Sequence, residues 1–412
     1  MDFLKGAESQ DDASFSQIYL SIGDSIFKDH TAEAGFNKAI EYFDKAIKAD
    51  STFALAYAKR AITRSWGYNA GHFTAKDHKD KCRSDIERAL ELDKNLEEAW
   101  IAAGFYSYYF EADFSKALEY FRKVLVNDPD NWRCKVYMAF VLRAAGEWKQ
   151  SQSLMAEVGR YDPQDALLVT NIGLSYDFLH IYDTAIYYHD KAVQIMPTWT
   201  APYQNKIESL ISRDGNTHEA EVVMDSALLN TNGRDLQKTR ILLDIYNGRF
   251  DDALFKLEMA EVSEFDFNQG VGCLLYAEIY NCLDNPEFAR NAYKSAFEYS
   301  SKRLAEVPGD ASILSSIGIA LAGLNDSKKA IEYGQEALNL SENNLMEKSY
   351  SKKDLTQIYV MLGKYEQALS LIDEQLNNPS ALSVGVLQID PVWNPLQEKP
   401  EFKKMLKKYS AK

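Results

Sequence analysis

The chain is poor in the residues that mark tight turns, disulfides and membrane spans. Its 412 residues include only 20 Gly, 10 Pro and 4 Cys. So little Gly and Pro argues against a turn-rich β-sandwich and favours long helices. The four cysteines form no C-x-x-C pair, which indicates reduced, structural thiols. No apolar run approaches the roughly 18 residues of a membrane span, and the first residues do not resemble a signal peptide.

Positive charge is also in deficit. The chain has 46 basic and 61 acidic residues, a net charge of −15. Such a balance repels nucleic-acid phosphates and anionic lipids, so we expect neither as a partner of this chain. Hydrophobic residues nevertheless make up 46% of the sequence, which argues against a disordered chain and predicts a packed core.

A period of 34 residues organises the sequence. Pro129, Pro163 and Pro197 are spaced by 34, and each closes a segment with small residues at matching positions, such as Gly173 and Ala185. This pattern resembles the tetratricopeptide repeat, a helix–turn–helix of about 34 residues. The resemblance implies an all-α fold: a right-handed superhelical solenoid of about ten repeats with a C-terminal capping segment. It also implies a non-catalytic scaffold that binds a protein or peptide.

Ten second helices are marked by residue triplets, in most of which a large side chain stands between two smaller ones. Three central repeats and the ninth match the pattern well, and the others match it loosely. The triplets are Ala39-Phe43-Ala46, Cys82-Ile86-Ala89, Ala117-Phe121-Val124, Ser151-Met155-Val158, Ala185-His189-Ala192, Ala220-Met224-Ala227, Ala253-Leu257-Ala260, Ala289-Tyr293-Ala296, Ala330-Gly334-Ala337 and Ala368-Ile372-Gln375.

The repeats predict three regions along the chain. Residues 1–14 are an N-terminal extension, residues 15–379 the repeats, and residues 380–412 a tail. Repeat 2 carries an insertion near 65–77, predicted as an ordered loop between its helices. The second helix of repeat 8 is predicted to run long, from Pro286 towards Glu306. The tail is predicted to be an extended segment that packs on the last repeat, followed by a short helix after Pro400.

A narrower resemblance suggests a second function. The segments SWGYNAGHF and LSVGVLQIDPVWNPLQEKPEFKKML are similar to the C-terminal repeat half of bacterial signalling proteins with TolB-like, winged-helix or adenylate cyclase domains. That resemblance implies the sensor or docking half of a membrane-tethered transcription regulator or cyclase. A free-standing chain is expected in the cytoplasm, and a tethered one on the extracytoplasmic side of the inner membrane. The partner, the oligomeric state, the role of the tail and whether Met1 is the natural start stay open.

The resemblance also implies a binding groove along the first helices. In the family the groove residues are the second, fifth, ninth, twelfth and thirteenth of each repeat. A stripe of aromatic and polar residues at or beside these positions is the predicted peptide site: Trp66, Phe105, Tyr108, Tyr109, Arg133, Phe140, Arg143, Asp177, Phe178, Gln204 and Asn205. Aromatic and arginine side chains suit peptide capture. The alternative is that the stripe only packs repeat against repeat, because aromatics at helical spacing are often core.

No pattern nominates a reaction or a cofactor. The Lys and Asn of the family's carboxylate clamp are replaced by residues such as Ile101 and Phe105, so capture of chaperone tails is not expected. His78 and Cys82 have the i, i+4 spacing of half a zinc site, but no further ligand pair lies nearby. His189 occupies the large slot of its triplet and is predicted to be a packed core histidine. We therefore expect no enzyme activity, no cofactor and no metal.

Overall fold

The structure is a computed structural model that describes residues 15–27, 33–159, 164–233, 236–260 and 269–410. These residues form helices and connecting turns, with no strand among them. None of the helices formed by the described residues is both long and apolar enough to cross a membrane. The chain divides into two compact units, Met1–Val158 and Gly159–Lys412. The predicted N-terminal extension, 1–14, lies outside the described residues.

Four consecutive helix pairs make up the first unit. Each pair is one repeat, with a first and a second helix. The helices are α1 (15–27), α2 (Glu33–Ala49), α3 (Ala54–Asn69), α4 (Ala75–Leu92), α5 (Glu97–Tyr109), α6 (Phe114–Asn127), α7 (Trp132–Ala144) and α8 (Trp148–Gly159), the last ending at the unit boundary.

Six further pairs and a helical tail make up the second unit. The paired helices are α9 (Ala166–Phe178), α10 (Tyr182–Ile195), α11 (Thr200–Asp214), α12 (Thr217–Asn230), α13 (Gln237–Tyr246), α14 (Phe250–Met259), α15 (Gln269–Cys282), α16 (Pro286–Glu306), α17 (Ala311–Gly323), α18 (Ser327–Leu340), α19 (Leu345–Met361) and α20 (Tyr365–Asn377). The tail forms α21 (Val384–Ile389), a 3-10 turn (Pro391–Trp393), α22 (Asn394–Gln397) and α23 (Pro400–Ser410). Within the described residues the predicted ten repeats are thus confirmed.

Small residues let the two helices of each repeat approach closely. The triplets predicted from the sequence are buried, with the exception of Ala260, which is half-buried. In repeat 3 the ring of Phe121 lies against the backbone of Gly104, where a methyl group would fall inside van der Waals contact with the ring. Gly173 and His189 repeat this arrangement in repeat 5. One large side chain therefore fills the space that a small residue leaves open.

Side-chain caps begin many of the helices. The carboxylates of Asp113, Asp165 and Asp326 each accept a bond from the backbone N–H three residues on, at 3.0, 3.0 and 3.3 Å. A cap of this kind satisfies one of the N–H groups that have no partner inside the helix. Pro129 and Pro197 follow the ends of α6 and α10, as the period predicts for a residue that cannot continue a helix.

The insertion and the tail differ from their predicted conformations. Helix α3 continues through Asn69, so only residues 70–74 connect α3 to α4, and the prediction of a loop from residue 65 was wrong. The last turn of α3 packs against the connecting residues, because Gly67 lets the helix lie against the ring of Phe73. The tail is helical where an extended segment was predicted. Its prolines stand in first turns, where a missing N–H costs nothing, so they begin helices rather than break them.

Two finer predictions concern helix lengths and the tail. The second helix of repeat 8 spans Pro286–Glu306, and the last helix begins at Pro400, both as predicted. The tail packs on the last repeat, where Trp393 and Phe402 are fully buried. Its α21 also contacts α11, which the sequence did not indicate.

We predict that Gly104→Ala destabilises the first unit by about 1–3 kcal/mol, because the new methyl group overpacks the site against Phe121. The free energy of unfolding from urea titration measures the effect. In a Phe121→Leu background, which removes part of the ring, the cost of Gly104→Ala should shrink. An equal cost in both backgrounds would contradict the contact.

Candidate functional site

The residues predicted for the peptide groove divide between the two units. Seven lie in the first unit: Trp66, Phe105, Tyr108, Tyr109, Arg133, Phe140 and Arg143. Four lie in the second: Asp177, Phe178, Gln204 and Asn205. The residues of both groups lie on the first helices of their repeats.

A cluster of aromatic rings dominates the surface of the first unit. Phe105 is 1% exposed and forms its floor, with ring centroids of Trp66, Tyr109 and Tyr137 at 5.5, 5.7 and 4.7 Å. Those three rings are half-buried, as is Tyr108, whose ring lies 4.5 Å from that of Tyr109. We call Trp66, Tyr108, Tyr109 and Tyr137 the aromatic surface. Tyr137 was not predicted, because it stands beside rather than at a family groove position.

Positive charge beside the aromatic surface comes from α7, where Arg133 stands one turn before Tyr137. Arg133 is exposed, and its guanidinium lies 5.1 Å from the ring of Trp132. Arg143 is buried, with its guanidinium 5.5 Å from the ring of Phe140, itself 5% exposed. Phe105, Phe140 and Arg143 are therefore part of the packed interior, as the alternative interpretation held. Arg133 and the aromatic surface remain accessible.

Burial sets the ionisation of the central tyrosine. The pKa of Tyr109 is raised well above its ordinary value, first by burial and then by the neighbouring Tyr108 and Tyr137, while Arg143 opposes the shift. The phenol is neutral at physiological pH, as an ordinary tyrosine also is. As a neutral group it can donate a hydrogen bond, which suits recognition of a peptide carbonyl.

A carboxylate bonded to a buried histidine links two repeats in the second unit. The Nε2 atom of His189 lies 2.8 Å from the carboxylate of Asp177, and the hydroxyl of Ser209 donates to the same carboxylate at 2.6 Å. His189 is fully buried, so its prediction as a core histidine is confirmed. Asp177 thus joins repeat 5 to repeat 6. Although it was predicted for the groove, its carboxylate is bonded to His189 and Ser209 inside the second unit.

The other predicted residues of the second unit also make internal contacts. Phe178 is 4% exposed; its ring lies 5.8 Å from that of Tyr350, and its carbonyl accepts the N–H of Ser380 in the tail. Gln204 donates to Glu208 at 3.1 Å, and Asn205 is half-buried. Tail contacts therefore reach the groove residues of repeat 5.

A group of charged residues on later first helices was missed by the sequence analysis. Glu278, Lys353 and Lys238 interact electrostatically with one another or with Asp390 of the tail. We call Glu278, Lys353 and Asp390 the charged group. The family's groove positions, applied beyond repeat 6, would have indicated two of them. Lys353 is the fifth residue of repeat 10, and Glu278 is the ninth residue of repeat 8. No repeat position could have indicated Asp390.

Confinement changes the pKa values of these carboxyls. Burial, together with the nearby Asp390 carboxylate, raises the pKa of Glu278 to about 8, against the opposing effect of Lys353 and Lys238. The pKa of Asp390 is also raised by burial, against Lys353 and the hydrogen bond from the N–H of Val392. Near neutral pH, Glu278 is therefore largely protonated, which lowers the repulsion between the two acids.

The cysteines and histidines considered as metal ligands have structural contacts. Cys82 is buried, with Sγ 3.4 Å from the carbonyl of Ala61, and burial raises the pKa of its thiol to about 12. The ring of His78 stacks on Phe73 at 3.9 Å, and burial and Arg64 lower its pKa to about 4. Across the described residues, no three His, Cys, Asp or Glu side chains are grouped to hold a metal.

Models of the tetratricopeptide repeat match two parts of the chain, residues 111–170 and residues 271–343. The first match lies on repeats 3 to 5 and the second on repeats 8 and 9, and all of these except repeat 8 fit the period well. No curated protein matches the chain. These two parts of the chain therefore match the tetratricopeptide repeat, in agreement with the consecutive helix pairs of each unit. Such repeats generally mediate protein interactions without catalysing a reaction.

Solved structures share parts of this architecture. The human IFIT1 dimer with m7Gppp-AAAA is 18% identical with a TM-score of 0.49, over 79% of this chain and 72% of that one. YrrB, a TPR protein with an unusual peptide-binding site, is 20% identical with a TM-score of 0.29, over 46% and 90%. PilF of Pseudomonas aeruginosa is 14% identical with a TM-score of 0.36, over 55% and 93%. At these values the likeness says nothing about a ligand.

Phe140→Ala is expected to lower the free energy of unfolding by about 3–5 kcal/mol, because the ring is core. Arg133 is exposed on the same helix, α7, and Arg133→Ala should change the free energy of unfolding by less than about 0.5 kcal/mol. Urea unfolding of both variants checks the assignment. Equal stability of Phe140→Ala and the parent chain would place the ring on an open surface.

A second prediction concerns pH. Because the folded pKa of Glu278, about 8, exceeds the ordinary value of 4.5, the native state binds its proton more tightly than the unfolded state does. Its contribution to stability is therefore complete below about pH 4.5 and is lost as pH rises through about 8. Thermal melts from pH 5 to 9 should show a shallower decline for Glu278→Gln than for the parent chain.

The control is Glu336→Gln, which changes an exposed carboxylate on α18. This variant should keep the parent's decline with pH. Identical pH dependence in the parent and Glu278→Gln would show that Glu278 ionises as it does in water.

Proposed function

We propose that this tetratricopeptide-repeat chain is a non-catalytic scaffold that holds an extended peptide on the aromatic surface of its first unit. The observation that supports this most is the cluster of four half-buried rings above the buried Phe105, bordered by the exposed Arg133. Surface aromatics in such number are uncommon on a face with no role, and tyrosine, tryptophan and arginine carry much of the energy of known interfaces.

The chemistry of this surface defines the peptide. Trp66 and the tyrosines offer apolar ring faces together with N–H and O–H donors, so they suit apolar side chains and backbone carbonyls. Arg133 adds a positive charge at the border and favours a carboxylate. We therefore propose a peptide with apolar or aromatic side chains and at least one acidic residue.

The stiffness of the surface favours binding. Its rings are held by edge-to-face and stacked contacts with Phe105 and with each other, and Tyr108 also contacts Phe114 at 5.8 Å. Few side-chain rotations are therefore lost when a ligand arrives, which lowers the entropic cost of binding.

Other partners and functions have less support. A net charge of −15 disfavours nucleic acid, and we propose a protein partner instead. The role as sensor or docking half of a tethered signalling protein gains nothing from the family models, which match repeats alone. A cytoplasmic location for a free-standing chain likewise stays a proposal.

The test uses peptides selected from a displayed random library on the parent chain. We expect Tyr108→Ala and Arg133→Ala to weaken binding of the selected peptides at least tenfold, because each removes a contact of the aromatic surface or its border. Isothermal titration measures the affinities, and thermal melts confirm that the variants are folded.

Tyr120→Ala is the matched control. Tyr120 lies on a second helix, where its ring stacks on Trp100 at 5.7 Å away from the aromatic surface. This change should leave the affinity unaltered. Selected peptides that bind all three variants as tightly as the parent chain would refute the proposal.

A further inference from the structure

The tail makes contacts with repeats far from its own position in the sequence. The N–H of Ser380 donates to the carbonyl of Phe178 at 2.9 Å, and the Nε2 atom of His180 lies 3.2 Å from the carbonyl of Ser380. The N–H of Ala381 donates to the hydroxyl of Ser349 at 2.7 Å. One short segment therefore has backbone bonds both to repeat 5 and to repeat 10.

Apolar side chains in and just before α21 pack into two different cores of the second unit. Val386 is buried in the core of repeats 6 and 7, and Ile389 packs against the same core. Leu382 and Leu387 are fully buried in the core of repeat 10. The segment is thus enclosed between the fifth and sixth repeats and the tenth.

Gly385 is the point of closest approach. A methyl group at this position would overlap the carbonyl oxygen of Ile211, and it would lie 2.7 Å from the backbone N of Gly215 and 2.9 Å from the carbonyl of Ser212. These atoms belong to the backbone at the end of α11, so no side-chain rotation could make room. The contact with α11 therefore requires glycine at this position. The helix α21 does not, since alanine is the better helix former.

These contacts resemble those of a bound peptide: main-chain hydrogen bonds, aliphatic side chains in apolar sites and a glycine where the surface leaves no space. We propose that the C-terminal ends of α9 and α11 form a peptide-docking site, which the chain's own residues 380–390 occupy. The tail then closes this surface to other chains. Phe178, predicted for the groove, accordingly accepts a hydrogen bond from the tail. This inference does not depend on the aromatic surface of the first unit.

The experiment compares the full-length parent with Gly385→Ala and with Gln388→Ala as matched control. Gln388 is exposed on the same short helix, so its change tests the effect of a new alanine alone. The probe is a fluorescein-labelled synthetic peptide with the sequence Pro379–Trp393, followed by fluorescence anisotropy. Gly385→Ala should bind the probe at least tenfold more tightly than the parent and Gln388→Ala do, because its own tail is displaced from α11.

Hydrogen exchange provides the second measurement. In the parent chain the amides of Ser380 and Ala381 should be protected, and in Gly385→Ala they should exchange at least tenfold faster. Circular dichroism establishes that the variant is folded. A folded Gly385→Ala that binds the probe no better than the parent would overturn the proposal. If that variant does not fold, the measurement on the parent chain is the test. Exchange of the Ser380 and Ala381 amides in the parent at the rate of an unstructured peptide would also overturn the proposal.

Discussion

The close approach of two helices within each repeat is the constraint on which the rest of the structure depends. Small residues at the crossing bring the helix axes together, and in most repeats one large side chain fills the remaining space. Neither helix could bury its apolar stripe alone, so each repeat needs both its own partner helix and the next repeat. The first helices, and every candidate binding residue on them, are positioned by this packing.

His189 shows how far the packing tolerates variation. Where most other repeats have an aliphatic or aromatic side chain, repeat 5 has an imidazole, fully buried and 2.8 Å from Asp177. A buried polar group of this kind is stable only when it is hydrogen-bonded. Asp177 supplies that bond and is held in turn by Ser209. The groove position of Asp177 is thereby used for the internal structure of the second unit.

The tail gives the second unit a different character from an open solenoid. In an open array each repeat contacts only its neighbours, so stability is nearly a sum of local terms. Residues 380–390 instead join repeats 5 and 6 to repeat 10, across roughly two hundred residues of sequence. Asp390 at the end of this segment also meets Glu278 and Lys353, so the tail completes the charged group as well as the fold.

The sequence alone determined the repeats, their number and the residues at the helix crossings. These follow from steric rules that act within about 34 residues, and the buried triplets from Ala39 to Gln375 agree with them. The tertiary structure decided which stripe residues are open. Phe140 and Tyr108 both belong to the predicted stripe, at the ninth and twelfth positions of their repeats, but only neighbouring helices determine that the first is core and the second half-buried. It also decided the path of the tail, because the fit of Gly385 against α11 depends on a backbone that no local pattern describes.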